Sequence, residues 1–321
     1  MSAAFRSAAF HRYAAFVSAA TFILVFAGGL VTSTGSGLAV PDWPLSFGML
    51  FPPMVGGVLF EHGHRLIAAS VGLLVVGLYI WSFFLGGDAD RRRVNGLAGL
   101  ALAAVVLQGL LGGLTVLMKL PPAVSVAHAC LAQAFLCLTV AVATMTGRGW
   151  ERAGVIRESG PGVPLRVLAL ATTAAVFMQL ILGATMRHLK TGLAIPDFPL
   201  AFGRIVPPLE TFPVQIHFAH RVGACVVSAL ALWTVSRILR VHRDEPLLRR
   251  PAVLLLTLLS AQITLGALTI WTEKAVVPTT AHVLGGAAVL AAGFLIILRA
   301  SRLIERRPRG ASVGVPRQVV A

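Results

Sequence analysis

The sequence predicts an all-α integral membrane protein: eight transmembrane helices forming two tandem four-helix bundles, related by a parallel pseudo-two-fold repeat, with both termini cytoplasmic. Three observations predict it. The composition is 57% hydrophobic and 12% charged, with a mean hydropathy of +0.84, whereas soluble domains hold roughly 45–50% apolar and 25% charged residues. Eight apolar runs each reach the roughly 17–25 residues that a bilayer crossing needs. The chain also writes one loop twice, as GLAVPDWPLSFG from Gly37 to Gly48 and GLAIPDFPLAFG from Gly192 to Gly203, identical at nine of twelve positions.

The runs fall at 14–34, 66–85, 94–117, 123–145, 167–186, 217–236, 251–271 and 277–298. The first is too long for the apolar core of a signal peptide. It leads into VTSTGSGLAV, with no obvious small-residue cleavage site, and is kept as a helix. A net charge of +15 would suggest nucleic acid in a soluble chain; in a membrane chain Lys and Arg mark the cytoplasmic loops, and no nucleic-acid partner is expected. With the N-terminus inside, 20 of the 27 Lys and Arg residues fall on inner segments. The outer seven are Arg65, Lys119, Arg187, Lys190, Arg204, Arg221 and Lys274. That bias places the repeated loop outside.

The repeat extends well beyond the loop. Gln108, Gly112, Leu114, Thr115 and His128 recur as Gln262, Gly266, Leu268, Thr269 and His282, each offset by 154. EHGHR at 61–65 and HFAHR at 217–221 pair His64 with His220 and Arg65 with Arg221. Four helices per unit is an even number, so both halves enter from the same side. The implied organisation is an N-terminal half (1–146), a Gly/Pro/Arg-rich cytoplasmic linker (147–166), a C-terminal half (167–300) and a basic cytoplasmic tail (301–321), expected to be disordered.

Of nine histidines the repeat singles out His64, His128, His220 and His282, each near the start of an even-numbered helix. The last three precede the first inner arginine of their helix by 20, 17 and 17 residues, about 25–30 Å at 1.5 Å per residue. His64 is farther from Arg91 but lies beside the same loop that precedes His220, so all four are expected near the outer boundary at similar depth. A lone membrane histidine often only hydrogen-bonds a neighbouring helix, but four at matched positions suit a different purpose. Two per half can clamp one metal centre. Zinc would want three or four ligands, and no Cys or Asp accompanies the pairs; bis-histidine ligation of heme fits better. Small residues let a flat macrocycle slide between helices, in QGLLGGLT, QITLGALT, Gly72 and Gly285-Gly286. Arg65 and Arg221 stand where heme propionates would lie, and a guanidinium suits a carboxylate; the alternative is snorkelling to lipid headgroups. The loop cores, with Asp42 and Trp43 in one copy and Asp197 and Phe198 in the other, are read as lids over the propionate edges; the alternative is that they only cap the bundles. His11 and His242 are expected to be solvated in cytoplasmic flanks, and His188 to lie in an outer loop.

Taken together, the twin loops, Glu-x-x-His-Arg, and the histidines of the repeated Gly-x-Leu-Thr units resemble the heme A synthase family, of bacterial type, over essentially the whole chain. The resemblance implies a membrane oxidoreductase of the bacterial cytoplasmic membrane that converts heme O to heme A, oxidising the C8 methyl to a formyl by successive hydroxylations for cytochrome oxidase. It also implies a division of labour, with heme b resident at His220 and His282 and the substrate at His64 and His128. Heme O synthase and cytochrome oxidase assembly are the implied partners besides membrane lipid. Some relatives carry a cysteine pair in an outer loop. Here Cys130, Cys137 and Cys225 all fall inside helices, which argues against a thiol step and leaves them as small apolar packing residues.

The halves differ at one telling place: Glu61 in the first is His217 in the second. A carboxylate one turn before a ligand could accept or deliver protons in methyl oxidation, making Glu61 the catalytic candidate; its alternative is an ion pair with Arg65. His62 has no counterpart and no assigned role. A bis-histidine diheme electron carrier acting with quinone would explain the four histidines but not a carboxylate in one half alone. A transporter would place its polar residues at the midplane rather than the outer boundary.

Overall fold

The computed structural model describes residues 3–85, 89–151, 153–156, 158 and 162–304. Its helices are α1 (Ala3–Ser33), α2 (Gly57–Ser82), α3 (Ala89–Leu117), α4 (Pro122–Met145), α5 (Arg148–Glu151), α6 (Leu165–His188), α7 (Phe212–Val241), α8 (Pro246–Trp271) and α9 (Val276–Leu303). Eight of these, all but the single turn α5, are long and apolar enough to cross a membrane. The protein is a multi-pass membrane protein, as its composition predicts. Among the described residues there is no strand, only isolated bridges.

The helices overrun the predicted spans, α1, α2 and α7 among them. Glu61, His62, His64 and Arg65 lower an apolar window, yet all four are helical. In the bilayer every backbone N–H and C=O must be paired, so the polar entry turns stay wound. Position 301 onward behaves differently from the expectation at its start, where α9 runs to Leu303; the rest of the tail, from 305, lies outside the described residues, as do 152, 157 and 159–161 of the linker.

Contacts run in a closed order: α1 with α2, α2 with α3, α3 with α4 and α4 with α1, then α6 with α7, α7 with α8, α8 with α9 and α9 with α6. The two sets meet mainly through α1 with α9, α4 with α6 and α4 with α9. Each has its own buried core, around Phe10, Val75 and Phe135 in the first and Ile238, Leu255 and Ile296 in the second, with Val25, Leu136 and Ala287 filling the seam. Between lipid-embedded helices van der Waals packing and hydrogen bonds replace the hydrophobic effect, at about 0.6 kcal/mol per interhelical hydrogen bond. Thr172 and Thr234 share such a bond at 2.7 Å between α6 and α7. Across the seam the Arg187 guanidinium, at the end of α6, donates to the Gly29 carbonyl and Ser33 Oγ of α1, both at 2.8 Å.

Candidate heme sites

Each loop is shaped by its own aspartate. Phe47 and Gly48 adopt φ of 54° and 71°, and Phe202 and Gly203 the same values, a tight turn with both central residues in the left-handed region. The Asp42 carboxylate accepts the Phe47 and Gly48 N–H groups at 2.7 and 2.8 Å; Asp197 does the same for Phe202 and Gly203. These amides, Gly48 and then Phe47 for Asp42, Gly203 and then Phe202 for Asp197, hold both carboxyls below the usual carboxylate range.

The arginines clamp the loops from below. Arg65 donates to the carbonyls of Asp42 and Leu45 at 2.8 Å and of Val40 at 3.4 Å. Arg221 repeats the pattern on Asp197, Leu200 and Ile195 at 2.6, 2.7 and 3.2 Å. Glu61 and His217 complete the anchor. Glu61 Oε2 accepts the Val40 N–H at 2.9 Å while Oε1 takes the Arg65 guanidinium at 2.7 Å. His217 Nδ1 accepts the Ile195 N–H at 3.2 Å. The ion pair expected as the alternative for Glu61 is therefore present, and the two anchors Glu61 and His217 are buried.

The aromatic rings reach across to the third helix of each set. Trp43 lies on Gly113 of α3, where an added Cβ would come within 2.6 Å of the indole. In the second set the matched positions are Phe198 and Ala267. Phe198 packs edge-on to Trp271, with ring centroids 6.1 Å apart, beneath the Arg221 guanidinium. The half with the larger ring has glycine at this position and the half with the smaller ring has alanine.

The four histidines are half-buried, and each rests on a glycine of the preceding helix. A Cβ on Gly28, Gly112, Gly183 or Gly266 would approach the Cε1 of His64, His128, His220 or His282 to 3.2, 3.2, 3.0 or 3.1 Å. Glutamines hold three of the four. Gln108, Gln179 and Gln262 donate to the backbone carbonyls of His128, His220 and His282 at 3.0, 2.7 and 2.9 Å. The fourth counterpart, on α1, is Leu24.

The two pairs differ in their ring nitrogens. His220 and His282 face each other with ring centroids 6.5 Å apart. Nδ1 of His220 meets Gln179 at 3.1 Å, and Nδ1 of His282 meets the Gln262 carbonyl at 3.2 Å. Ligating histidines are usually held in this way, with one nitrogen tied and the other left for metal. Two metal–nitrogen bonds of about 2 Å each plus the depth of two rings span about that centroid distance. In the first pair it is Nε2 of His128 that meets Gln108, at 3.3 Å, and Nδ1 of both His64 and His128 is buried without a partner. Among the described residues no three His, Cys, Asp or Glu side chains gather as a metal site, so the donors come as pairs. Paired imidazoles above glycine cradles fit an iron porphyrin.

Residues 55–294 match the sequence profile of the COX15-CtaA family, described as cytochrome oxidase assembly protein. The chain is 36% identical over 262 residues to the heme A synthase of Symbiobacterium thermophilum, covering 78% of this chain and 82% of that one. The chain belongs to the heme A synthase family. Other family members similar to it include the heme A synthase of Alkalihalophilus pseudofirmus, 28% identical over 85% of this chain and 91% of that one. The heme A synthase of Listeria monocytogenes is 26% identical over 89% and 94%.

Within this heme A synthase family chain the structure corrects three minor expectations. His11 is half-buried rather than free in a flank: its Nδ1 lies 3.0 Å from the Ala143 carbonyl at the end of α4. His242 is buried, with Nε2 3.9 Å from Glu158. His188 closes α6 rather than lying in a loop. At Gly72 an added Cβ would meet open space. Sequence reasoning missed Gly28 and Gly183, which the loop's own 155-residue offset would have paired. It also missed Gln179, whose partner position holds Leu24, and the contact of Ser46 Oγ with His62 Nδ1 at 2.7 Å. That last pair is Ala201 and Phe218 in the second half, so no repeat could reveal it.

Proposed function

We propose that this chain converts heme O to heme A, oxidising the C8 methyl to a formyl by successive hydroxylations, with heme b resident between His220 and His282 and the substrate held between His64 and His128. The observation that carries this reading is the asymmetry of the two pairs. The second pair has both Nδ1 atoms tied and its rings at ligating distance, which suits a cofactor that stays. The first pair has Nδ1 atoms without partners and leucine in place of one clamping glutamine, which suits a heme that must enter and leave.

When bound, heme b supplies a one-electron redox centre; the chain's residues do the rest. His64 and His128 orient the substrate, and Arg65 and Arg221 hold the loops over the propionate edges, with Asp42, Trp43, Asp197 and Phe198 giving those lids their shape. Glu61 is the catalytic residue, moving protons at its carboxylate as the methyl is oxidised. The first-half pair Ser46–His62 positions that end of α2.

The same reading includes the architecture. The closed contact order within α1–α4 and within α6–α9, and the matched loop bonds, support two tandem four-helix bundles in parallel repeat, bounded as 1–146 and 167–300 about the 147–166 linker. The arginine bias supports both termini in the cytoplasm and heme sites near the outer face of a bacterial cytoplasmic membrane. The relatives' name supports heme A as the product, and the family's description supports cytochrome oxidase assembly as its setting.

The test is to express the chain with and without a source of heme O and identify the extracted hemes by chromatography and mass. Heme A or its hydroxylated precursor beside heme B, only when heme O is supplied, is the expected result. Two equivalents of heme B under both conditions would make the chain an electron carrier instead.

A further inference from the structure

We infer that the seam between the two helix sets, on the side away from the histidines, binds an acidic phospholipid. A cavity of about 1240 Å³ opens there between α1, α4, α5, α9 and the start of α8. Pockets for drug-sized ligands measure roughly 300–1,000 Å³, so this one admits something larger. Arg299 follows His282 by 17 residues in one helix, which puts the charged rim about 25 Å below the heme sites.

The walls are of two kinds. Arg12, Arg91, Arg148, Arg299 and Arg302 line the end nearer the membrane surface, and among residues whose side chains are described no Asp or Glu lines the cavity. Arg299 is pinned by the Leu247 carbonyl at 2.7 Å. Towards the bilayer centre the lining turns apolar, with Phe22, Val140 and Leu295. Two donors among the lining residues lack any acceptor: Nε1 of Trp150 and Nε of Arg302 are buried without a partner.

Guanidinium groups gathered about one space repel one another, and a buried donor without an acceptor is costly. A phosphate answers both, since guanidinium forks match its oxygens. Inorganic phosphate would leave the apolar walls bare. A phospholipid fills the whole cavity, its headgroup on the arginines and an acyl chain along Phe22, Val140 and Leu295, as basic clefts between membrane helices do on the cytoplasmic side. The choice of leaflet rests on the orientation proposed above; binding itself does not.

The test uses the full-length protein in neutral detergent, titrated separately with phosphatidylglycerol, phosphatidylcholine and inorganic phosphate. Thermal unfolding and native mass spectrometry are the readouts. Phosphatidylglycerol should raise the Tm to a plateau and remain bound through purification, while the other two at equal concentration do neither. The double change Arg148→Gln/Arg302→Gln should abolish the response, whereas Arg240→Gln, an exposed charge on the same side outside the cavity, should preserve it. An equal response to phosphatidylcholine, or an unaltered one in the double variant, overturns the proposal, and a response to inorganic phosphate alone would show a small-anion site instead. If the double variant does not fold, the three titrations of the unmodified protein decide. No readout depends on heme conversion, so failure here leaves the enzymatic reading standing, and the reverse.

Discussion

The carboxylate of Glu61 and the guanidinium of Arg65 meet at 2.7 Å across one helical turn, and the other carboxylate oxygen holds the Val40 amide of the preceding loop. In the second half His217 takes the equivalent amide, that of Ile195, with no carboxylate at all. Anchoring a loop therefore does not require a carboxylate. The acidic group in one half alone points to a task that only that half performs.

Glu61→His copies the second half and separates anchoring from chemistry. The variant should fold, keep its heme b and lose heme O conversion by about 10²–10⁴-fold, the scale of general acid–base catalysis. Heme content and product analysis on one preparation would show this. Conversion within a few-fold of the unmodified protein would reduce Glu61 to a loop anchor.

The glycine cradles give a half-specific test. Gly183→Val adds carbon where a Cβ alone already lies 3.0 Å from His220, so it should lower heme b per mole of protein, measured from the absorbance spectrum. Gly28→Val, beside His64, should spare heme b and depress conversion. Equal losses of heme b in both variants would argue against separate sites.

Trp43 and Gly113 should be coupled. Gly113→Ala forces a methyl into the indole, at an overpacking cost of about 1–3 kcal/mol. Trp43→Phe in that background gives the first half the Phe and Ala that the second half carries at 198 and 267 and should recover most of the lost Tm. A double-mutant cycle that proved additive would show that the two residues do not constrain each other.

Acid should loosen the loops through Asp42 and Asp197. Their carboxyls are depressed in the folded protein, so their contribution is complete above the unfolded value near 3.8 and is lost as pH falls through the lower folded value. Exchange of the Phe47 and Gly48 amides, corrected for intrinsic rates, should stay protected from pH 8 down to about pH 4 and fail only below it. Asp42→Asn, with one acceptor oxygen instead of two, should lose protection of one of these amides already at neutral pH.

Much of this was legible in the chain because membrane burial and duplication both leave periodic marks. The eight crossings follow from apolar runs, and the paired His and Arg positions from self-alignment. The helix starts were not, since Glu61 and His64 are wound into α2 while lowering its hydropathy. Nor was the clamping of the loops by Arg65 and Arg221, which acts largely through backbone carbonyls that no side-chain motif encodes. Gln179 and the Ser46–His62 contact were invisible for the opposite reason: they are features that one half lacks.

The helices that join the two sets are α1, α4, α6 and α9, leaving α2, α3, α7 and α8 towards the outside. His128 and His282 therefore belong to the seam, while His64 and His220 stand on peripheral helices. Swinging α2 outward would part His64 from His128 and open a sideways path into the hydrocarbon without disturbing the joint between halves, so a hydrophobic cargo could pass through the wall of the protein and never meet water.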